Sequence, residues 1–523
     1  MWCMKSWLAG VCLLAVGCGA AKPVVRPPDL SGLDKADALV LEGCYDCLLD
    51  ARATYRRIGS GAGRPVVLAR LFETNILIAL RHKELSLDPS EPLSEARDVG
   101  RELPPDTDAS RYLALADGVP PDDIGTPRKT GAAFRETQQK AGYIGKLDAE
   151  LAWLRTATLS EPFRKYLDLA ADCGYPNRPR PPGTPPPPRT RQPAAGAPPL
   201  IAYRTATCQL PNQPVLFRLR EAQPRFAEAS LILARIDIVL AEQVGPGLAV
   251  PRLEEARTRF PASPAANYLS GSFNQAIGDC EAALAFYEET LAIVPAHEDA
   301  QLGRTICLTF LKQTDEAIAA ATRMIDLRTD YLGEAYYWRA FNQHVRKEFA
   351  SARVDIETSK RSGATDKVYT LAGIIKYDQG DLDPALIDLQ TARALPQGEN
   401  NCTAIWYVGM VHAKRQAWAL SARQFEDAMG CYARAAGVLT ALLRGFETRT
   451  DLEAAFKARK IAALQAGLKD ANSQLYASAM NAANYYASAS NIPAAKRLIE
   501  IAAQDASLAE FVNKLKDWLK DKS

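Results

Sequence analysis

The chain has 523 residues, with 63 Lys and Arg against 61 Asp and Glu and a formal net charge of +2. That balance argues against a nucleic-acid binder, which normally concentrates basic residues on one face. At 47% hydrophobic and 24% charged residues, the composition is that of a soluble body long enough for two domains, and no apolar run after Val16 is long enough to cross a bilayer.

Lys5 precedes an apolar run from Trp7 to Val16, and the segment ends in Ala15-Val16-Gly17-Cys18. The run is too short to span a membrane as a helix, and small residues before a cysteine are what a lipoprotein signal peptidase accepts. Residues 1–17 thus resemble a bacterial lipoprotein signal peptide, which implies an exported chain lipidated at Cys18; ordinary secretory cleavage near Gly19-Ala20-Ala21 is the alternative. Each buried methylene contributes about 0.8 kcal/mol, so several acyl chains would make the membrane association nearly permanent. Gly19 stands where an inner-membrane retention signal often has aspartate, and by family analogy this implies the periplasmic face of the outer membrane.

Residues 18–172 read as a mostly helical N-terminal region without a clear period. Ala38 to Ile58 and Val66 to Leu85 carry apolar residues at helical spacing and could form a degenerate repeat pair. Gly59 to Gly63 between them reads as a turn: neither the Lys-Ser or Lys-Thr nor the leading strand of a phosphate loop accompanies it. From Ser86 to Thr130 the many Pro, Asp and Gly residues predict loops and short helices, and Ala132 to Ala170 returns to helix. Cys44 and Cys47 invite a redox or zinc reading, but without a second ligand pair the spacing favours a structural role or a local disulfide, with pairing elsewhere left open.

No helix or central strand forms through Pro176 to Pro199, so residues 173–208 read as an extended linker or exposed loop. Cys173 and Cys208 bracket the run, and a disulfide between them would pin its ends. Apart from the signal region and Cys18 there are eight cysteines, which an exported compartment permits to pair. Cys402 opens one helix of a hairpin and Cys431 ends the other; Cys280 and Cys307 sit in adjacent repeats and could also meet.

Ala249, Ala283, Ala317, Ala352 and Ala385 fall 34, 34, 35 and 33 residues apart. A fixed period of this size predicts stacked supersecondary units, none able to bury its apolar face alone. Gly271, Gly278, Asp279, Ala283, Tyr287, Leu291 and Pro295 lie at one spacing, and Gly373, Gly380, Asp381, Leu382, Ala385, Leu389 and Ala392 repeat it. This pattern resembles the tetratricopeptide repeat, which implies an all-α, right-handed superhelical solenoid of helix-turn-helix units. Small residues let the two helices approach, Gly-Asp makes the turn, and Pro ends the second helix. The register gives repeats near 230–263, 264–297, 298–332, 333–365, 366–401 and 402–435 within a solenoid at 209–437. It is irregular where Arg346-Lys347-Glu348-Phe349 replaces Gly-Asp and where Ser421 replaces the anchor alanine. Within 438–523, a stretch to 472 is helical but off pattern, Ser473 to Ala502 forms a further hairpin turning at Ser490-Asn491, and Leu508 to Lys520 makes an amphipathic cap with Phe511, Leu515 and Leu519 on one stripe.

Catalytic chemistry is hard to find. His82, His297, His344 and His412 are far apart, no nucleophile elbow or paired-ligand motif is present, and neither cofactor nor metal is expected. In the resembled repeat the first helices line the concave side, and projection onto this register selects Tyr268, Gln275, Tyr337, Phe341, His344, Tyr377, Trp406 and Lys414 as groove residues, unless they pack between helices. Polar-tipped aromatics suit recognition. The resemblance therefore implies a non-catalytic, lipid-anchored envelope protein that takes a partner's extended segment or helix as scaffold or assembly factor, in outer-membrane protein assembly, secretion, pilus assembly or coordination of cell-wall enzymes. The alternative is capture of a glycan or small molecule beside a transporter, which a pocket walled by the N-terminal region would favour; a long open groove favours protein partners.

Overall fold

The computed structural model describes residues 32–58, 64–119, 144–174, 191–208, 211–244, 249–363, 365–396, 398–452 and 454–520. The signal segment with Cys18, the turn at 59–63 and the proline-rich run from 176 to 190 lie outside them. Among the described residues all regular structure is helical.

The N-terminal region stacks Leu33–Glu42, Tyr45–Ile58, Arg64–Glu84, Ser90–Gly100, Ala109–Gly118, Ile144–Thr156 and Glu161–Gly174 around a core containing Tyr55, Phe72, Tyr112 and Phe163. The expected helix from Ala38 to Ile58 is two helices. Gly43 breaks it at φ 68°, its N–H bonding Leu39 O at 3.0 Å, and a Cβ there would lie 2.5 Å from Leu200. Only glycine meets both demands. The described part of the expected helix from Ala132 to Ala170 also divides, at residues 157–160. Pro162 fits only the first turn of a helix, and Ser160 is held by the buried Glu73, which accepts its N–H at 2.7 Å and its hydroxyl at 2.6 Å.

A buried polar seam joins this region to Pro199–Ala206, a buried helix within the stretch expected to be an extended linker, and to the first helix of the solenoid. Arg81 donates to Glu84 Oε2 at 2.6 Å and to Gly43 O at 2.9 Å; Tyr166 and Arg204 both reach Glu84 Oε1, at 2.9 and 3.1 Å. The Arg81 guanidinium lies 3.8 Å from the Tyr203 ring centroid, a cation–π contact that helps keep the charge buried. Glu228, at the start of Ala227–Val244, accepts the Tyr45 N–H at 2.6 Å. Disulfides Cys44–Cys47 and Cys173–Cys208 flank the seam, and Cys402–Cys431 staples a later hairpin. Cys280 and Cys307 are a correction: they meet, but as thiols hydrogen-bonded to each other. Burial pushes both thiols up, which suppresses the thiolate that disulfide formation needs.

From Ala227 onward the chain is a tetratricopeptide-type solenoid. Pairs are Ala227–Val244 with Ala249–Arg259, Pro264–Ala276 with Cys280–Ile293, Glu298–Phe310 with Thr314–Asp326, Leu332–Val345 with Phe349–Ser362, Asp366–Asp378 with Leu382–Ala394, Cys402–Lys414 with Trp418–Thr448, and Ala454–Ser488 with Ile492–Ala502. The five anchor alanines are each 0% exposed. Ser421, where the sixth belongs, is equally buried and donates its hydroxyl to Gly409 O at 2.9 Å, so the substitution leaves no orphan polar group. Tyr287 fits between Gly271 and Gly303; a Cβ at Gly271 would fall 2.7 Å from its ring, and Gly303 is tighter still.

The turns inside the pairs are more uniform than their sequences. Gly278 and Gly380 have φ of 87° and 86°, while Lys312, Lys347, Gln416 and Ser490 adopt the same left-handed conformation at 61°, 63°, 58° and 62°. In each, that residue's N–H bonds the carbonyl three back and the next N–H bonds the carbonyl five back, as in Lys347 to His344 and Glu348 to Gln343. This Schellman closure satisfies the last carbonyls of the first helix. Arg346-Lys347-Glu348-Phe349 thus builds the regular turn.

Two long helices continue the sixth pair. Trp418–Thr448 has 31 residues and Ala454–Ser488 has 35, so the residue 437 boundary falls inside a helix and the off-pattern stretch is an extended hairpin. Its tip returns to the second pair: Phe456, 1% exposed, shares an apolar cluster with Phe273, Ile277 and Tyr287. Arg459 pairs with Asp279 at 3.3 Å, and Lys460 donates to Ala276 O at 3.2 Å. The closing helix Ala509–Lys520 buries Val512, Leu515 and Leu519, whereas Phe511 is 58% exposed. The inward stripe therefore starts one residue later than expected, because the spacing of three and four from Val512 faces the last pair.

Candidate functional site

From Pro264–Ala276 through Glu298–Phe310, Leu332–Val345 and Asp366–Asp378 to Cys402–Lys414, each first helix touches the next first helix. A stack whose first helices stay in mutual contact curves toward them, and this set forms the inner surface. Equivalent positions along it follow from the turns. Two residues before each left-handed turn residue stand Ala276, Phe310, Val345, Asp378, Lys414 and Ser488.

The eight residues expected in the groove divide by how much they show. Tyr268 is buried, stacked on His297 with centroids 5.0 Å apart, and Gln275 accepts the Tyr287 hydroxyl at 2.6 Å. Tyr337 and Phe341 are half-buried against Val368, Leu371 and Ile375 of the following repeat. His344 Nε2 is 2.7 Å from Asp378 Oδ2. Tyr377 is buried edge-on to Tyr407, and exposed Lys414 lies 4.6 Å from its ring centroid. Trp406 is half-buried, edge-on to both Tyr407 and Phe425. Rings at the middle of a first helix therefore fill the seam between neighbours.

The most exposed apolar groups of this surface lie at the helix ends. Phe310 is 68% and Val345 55% exposed, and Trp338, on the same helix as Val345, has its ring centroid 6.5 Å from Phe310 and 6.1 Å from Phe341. Sequence reasoning missed Phe310, Val345 and Trp338, although the register that selects Lys414 selects Phe310 and Val345 too. At the far end, Trp418 and Phe425 stack on Tyr485 at 5.8 and 5.6 Å. A pocket of about 480 Å³ follows, where Met480, Asn484 and Ser488 face Phe511, Lys514 and Trp518. A second pocket of about 740 Å³ lies between the second helices of neighbouring pairs, lined by Gln390, Arg393, Ile405, Glu426, Asp427 and Arg434. No N-terminal helix lines either.

The histidines do separate work. His297 caps Glu298–Phe310 by accepting the Ala300 N–H at 3.2 Å; His82 bridges the Tyr45 hydroxyl and Asp88 O, and burial lowers its pKa. Among the described residues no three His, Cys, Asp or Glu side chains are grouped to hold a metal ion.

No family model matches the chain, and no curated protein sequence does. Solved structures similar to it include YrrB, a TPR protein with an unusual peptide-binding site, at 14% identity and TM-score 0.30 over 34% of this chain and 91% of that one. The APC/C hetero-tetramer Cut9–Hcn1 is similar at 12% identity and TM-score 0.39, over 93% and 94%. A human IFIT1 dimer is similar at 12% and 0.36, over 90% and 95%.

Proposed function

We propose that the protein is a non-catalytic scaffold of the bacterial cell envelope, held by lipid on Cys18 at the periplasmic face of the outer membrane, whose first-helix surface binds a segment of a partner protein. The observation that carries the binding reading is the run of apolar and aromatic side chains along that surface, with Phe310 and Val345 largely in solvent and Trp338 beside them. Rings and branched side chains at adjacent helix ends suit the anchors of an amphipathic helix or extended peptide. Flanking Asp378 and Lys414 offer polar orientation.

Because Phe310 and Val345 are exposed, Phe310→Ala with Val345→Ala tests the surface at little cost in stability. Crosslinking in intact cells, mild-detergent purification and mass spectrometry should recover an envelope protein with the parent and much less with the double variant. Equal recovery removes this surface from recognition; a glycan or small molecule in place of a protein replaces the scaffold reading with substrate capture. Cys18→Ser should move the protein from the membrane pellet to the soluble fraction, and its retention in the pellet would refute the anchor.

A further inference from the structure

The hairpin of Trp418–Thr448 and Ala454–Ser488 does more than end the solenoid. A 31-residue helix is about 46 Å long and its 13-residue partner, Cys402–Lys414, about 20 Å, so more than half of it projects beyond its own repeat. From residue 437 to 470, Phe456 alone among the described residues is buried. Phe456 enters the cluster of the second pair, Arg459 and Lys460 meet Asp279 and Ala276, and Phe446 and Leu452 pack against the same cluster. Solenoid and hairpin together form a closed ring, joined at its far point by the buried Phe456 ring, the partly buried Phe446 and Leu452, and the polar contacts of Arg459 and Lys460.

Two further features set this contact apart from the interfaces between repeats. The tip is built as a unit: Lys457 donates to Glu447 O at 2.8 Å and to Arg449 O at 2.6 Å, closing the end of the first long helix. Behind it, Trp418–Thr448 contains Gly430, Gly437 and Gly445, and a Cβ at Gly437 or Gly445 would meet nothing within 4 Å. Packing does not demand these glycines, and each loosens a helix that an alanine would stiffen. The result is a preformed tip on a pliable arm. Its docking site, Ala276, is the second-pair counterpart of Phe310 and Val345.

We propose that the hairpin tip is a releasable clasp: docked on the second pair it closes the ring, and undocked it opens the first-helix surface. That opening admits a partner rests on the binding reading above; that the tip releases does not. The test is a distance measurement on the full-length protein with no partner added. Cys280→Ser and Cys307→Ser remove the free thiols among the described residues, and spin labels are placed at Ala285→Cys and Ala458→Cys, both exposed positions.

A docked distance with a second, longer population is expected, and Phe456→Ala should raise the ratio of long to short by at least about 100-fold, the scale of deleting a buried phenyl ring. Should Phe456→Ala lose helicity, Arg459→Glu with Lys460→Glu removes the polar contacts without touching the core and should raise the ratio several-fold. A single docked distance in the parent and in every folded tip variant overturns the clasp and leaves the partner-binding surface untouched. Loss of partner recovery in Phe310→Ala with Val345→Ala bears only on that surface, so the two readings fail separately.

Discussion

Lys347 offers a direct test of how the repeat turn works. It sits at φ 63°, where Gly380 sits at 86° one repeat later, and both turns are closed by the same pair of hydrogen bonds. A side-chain-bearing residue in the left-handed region costs about 1–2 kcal/mol, while glycine loses about 0.5–1 kcal/mol of extra unfolded-state freedom on folding. Lys347→Gly should therefore stabilise the protein by roughly 0.5–1 kcal/mol, the difference between these terms. Gly380→Ala should destabilise it by a similar amount, and since a Cβ there meets nothing within 4 Å the loss is one of backbone conformation alone. Urea midpoints report the global effect, and hydrogen exchange at the Glu348 and Asp381 amides, which donate across these turns, reports the local one. Repeats couple to their neighbours, so both readouts should move together. A lower midpoint for Lys347→Gly, or an unchanged one for Gly380→Ala, refutes the reasoning.

Gly303→Ala should cost about 1–3 kcal/mol, because the Tyr287 ring occupies the space its methyl needs and is held from the other side by Gly271; a melt indistinguishable from the parent would show that the ring can yield. Burial raises the Glu228 carboxyl from 4.5 to about 7, with Arg81 opposing the shift and Glu84 adding to it. The folded state therefore holds a proton that the unfolded chain gives up near pH 4.5, and this group's stabilisation is complete below that pH and falls as pH rises to about 7. Glu228→Gln should flatten that stretch of the stability profile, on the order of 3 kcal/mol across it, and a variant that keeps the parent's slope assigns the titration elsewhere. In protein recovered from envelopes and denatured without reductant, a maleimide should label Cys280 and Cys307 and spare Cys44, Cys47, Cys173, Cys208, Cys402 and Cys431. Labelling of the latter six would contradict both the disulfides and the oxidising compartment they require.

What the sequence discloses here is what repeats. Anchor alanines, the glycines beside Tyr287 and Leu389, and the Pro and Gly punctuation obey rules set within one hairpin or between two, and a period of about 34 residues multiplies each into a readable signal. Lys347 marks one limit: hydrogen bonds to His344 and Gln343 fix the left-handed turn whether or not glycine is present, so the turn outlives its sequence mark. The groove marks another. Helical spacing places Tyr268 and Tyr377 on the inner helices but does not separate a ring that enters the seam from one that faces solvent, while Phe310 and Val345 become visible only through the position they share with Lys414. Arg81, Glu84 and Arg204 in the seam, and Phe456 with Ile277 at the tip, join residues some 120 to 180 positions apart, without period or motif. A solenoid needs only neighbour contacts to stand. The tip contact adds nothing to that requirement, and it is carried at the end of a hairpin whose first helix, Trp418–Thr448, has glycines that packing does not demand. Departures from local consistency tend to gather where a protein trades stability for action, and here they gather on the arm that spans the ring.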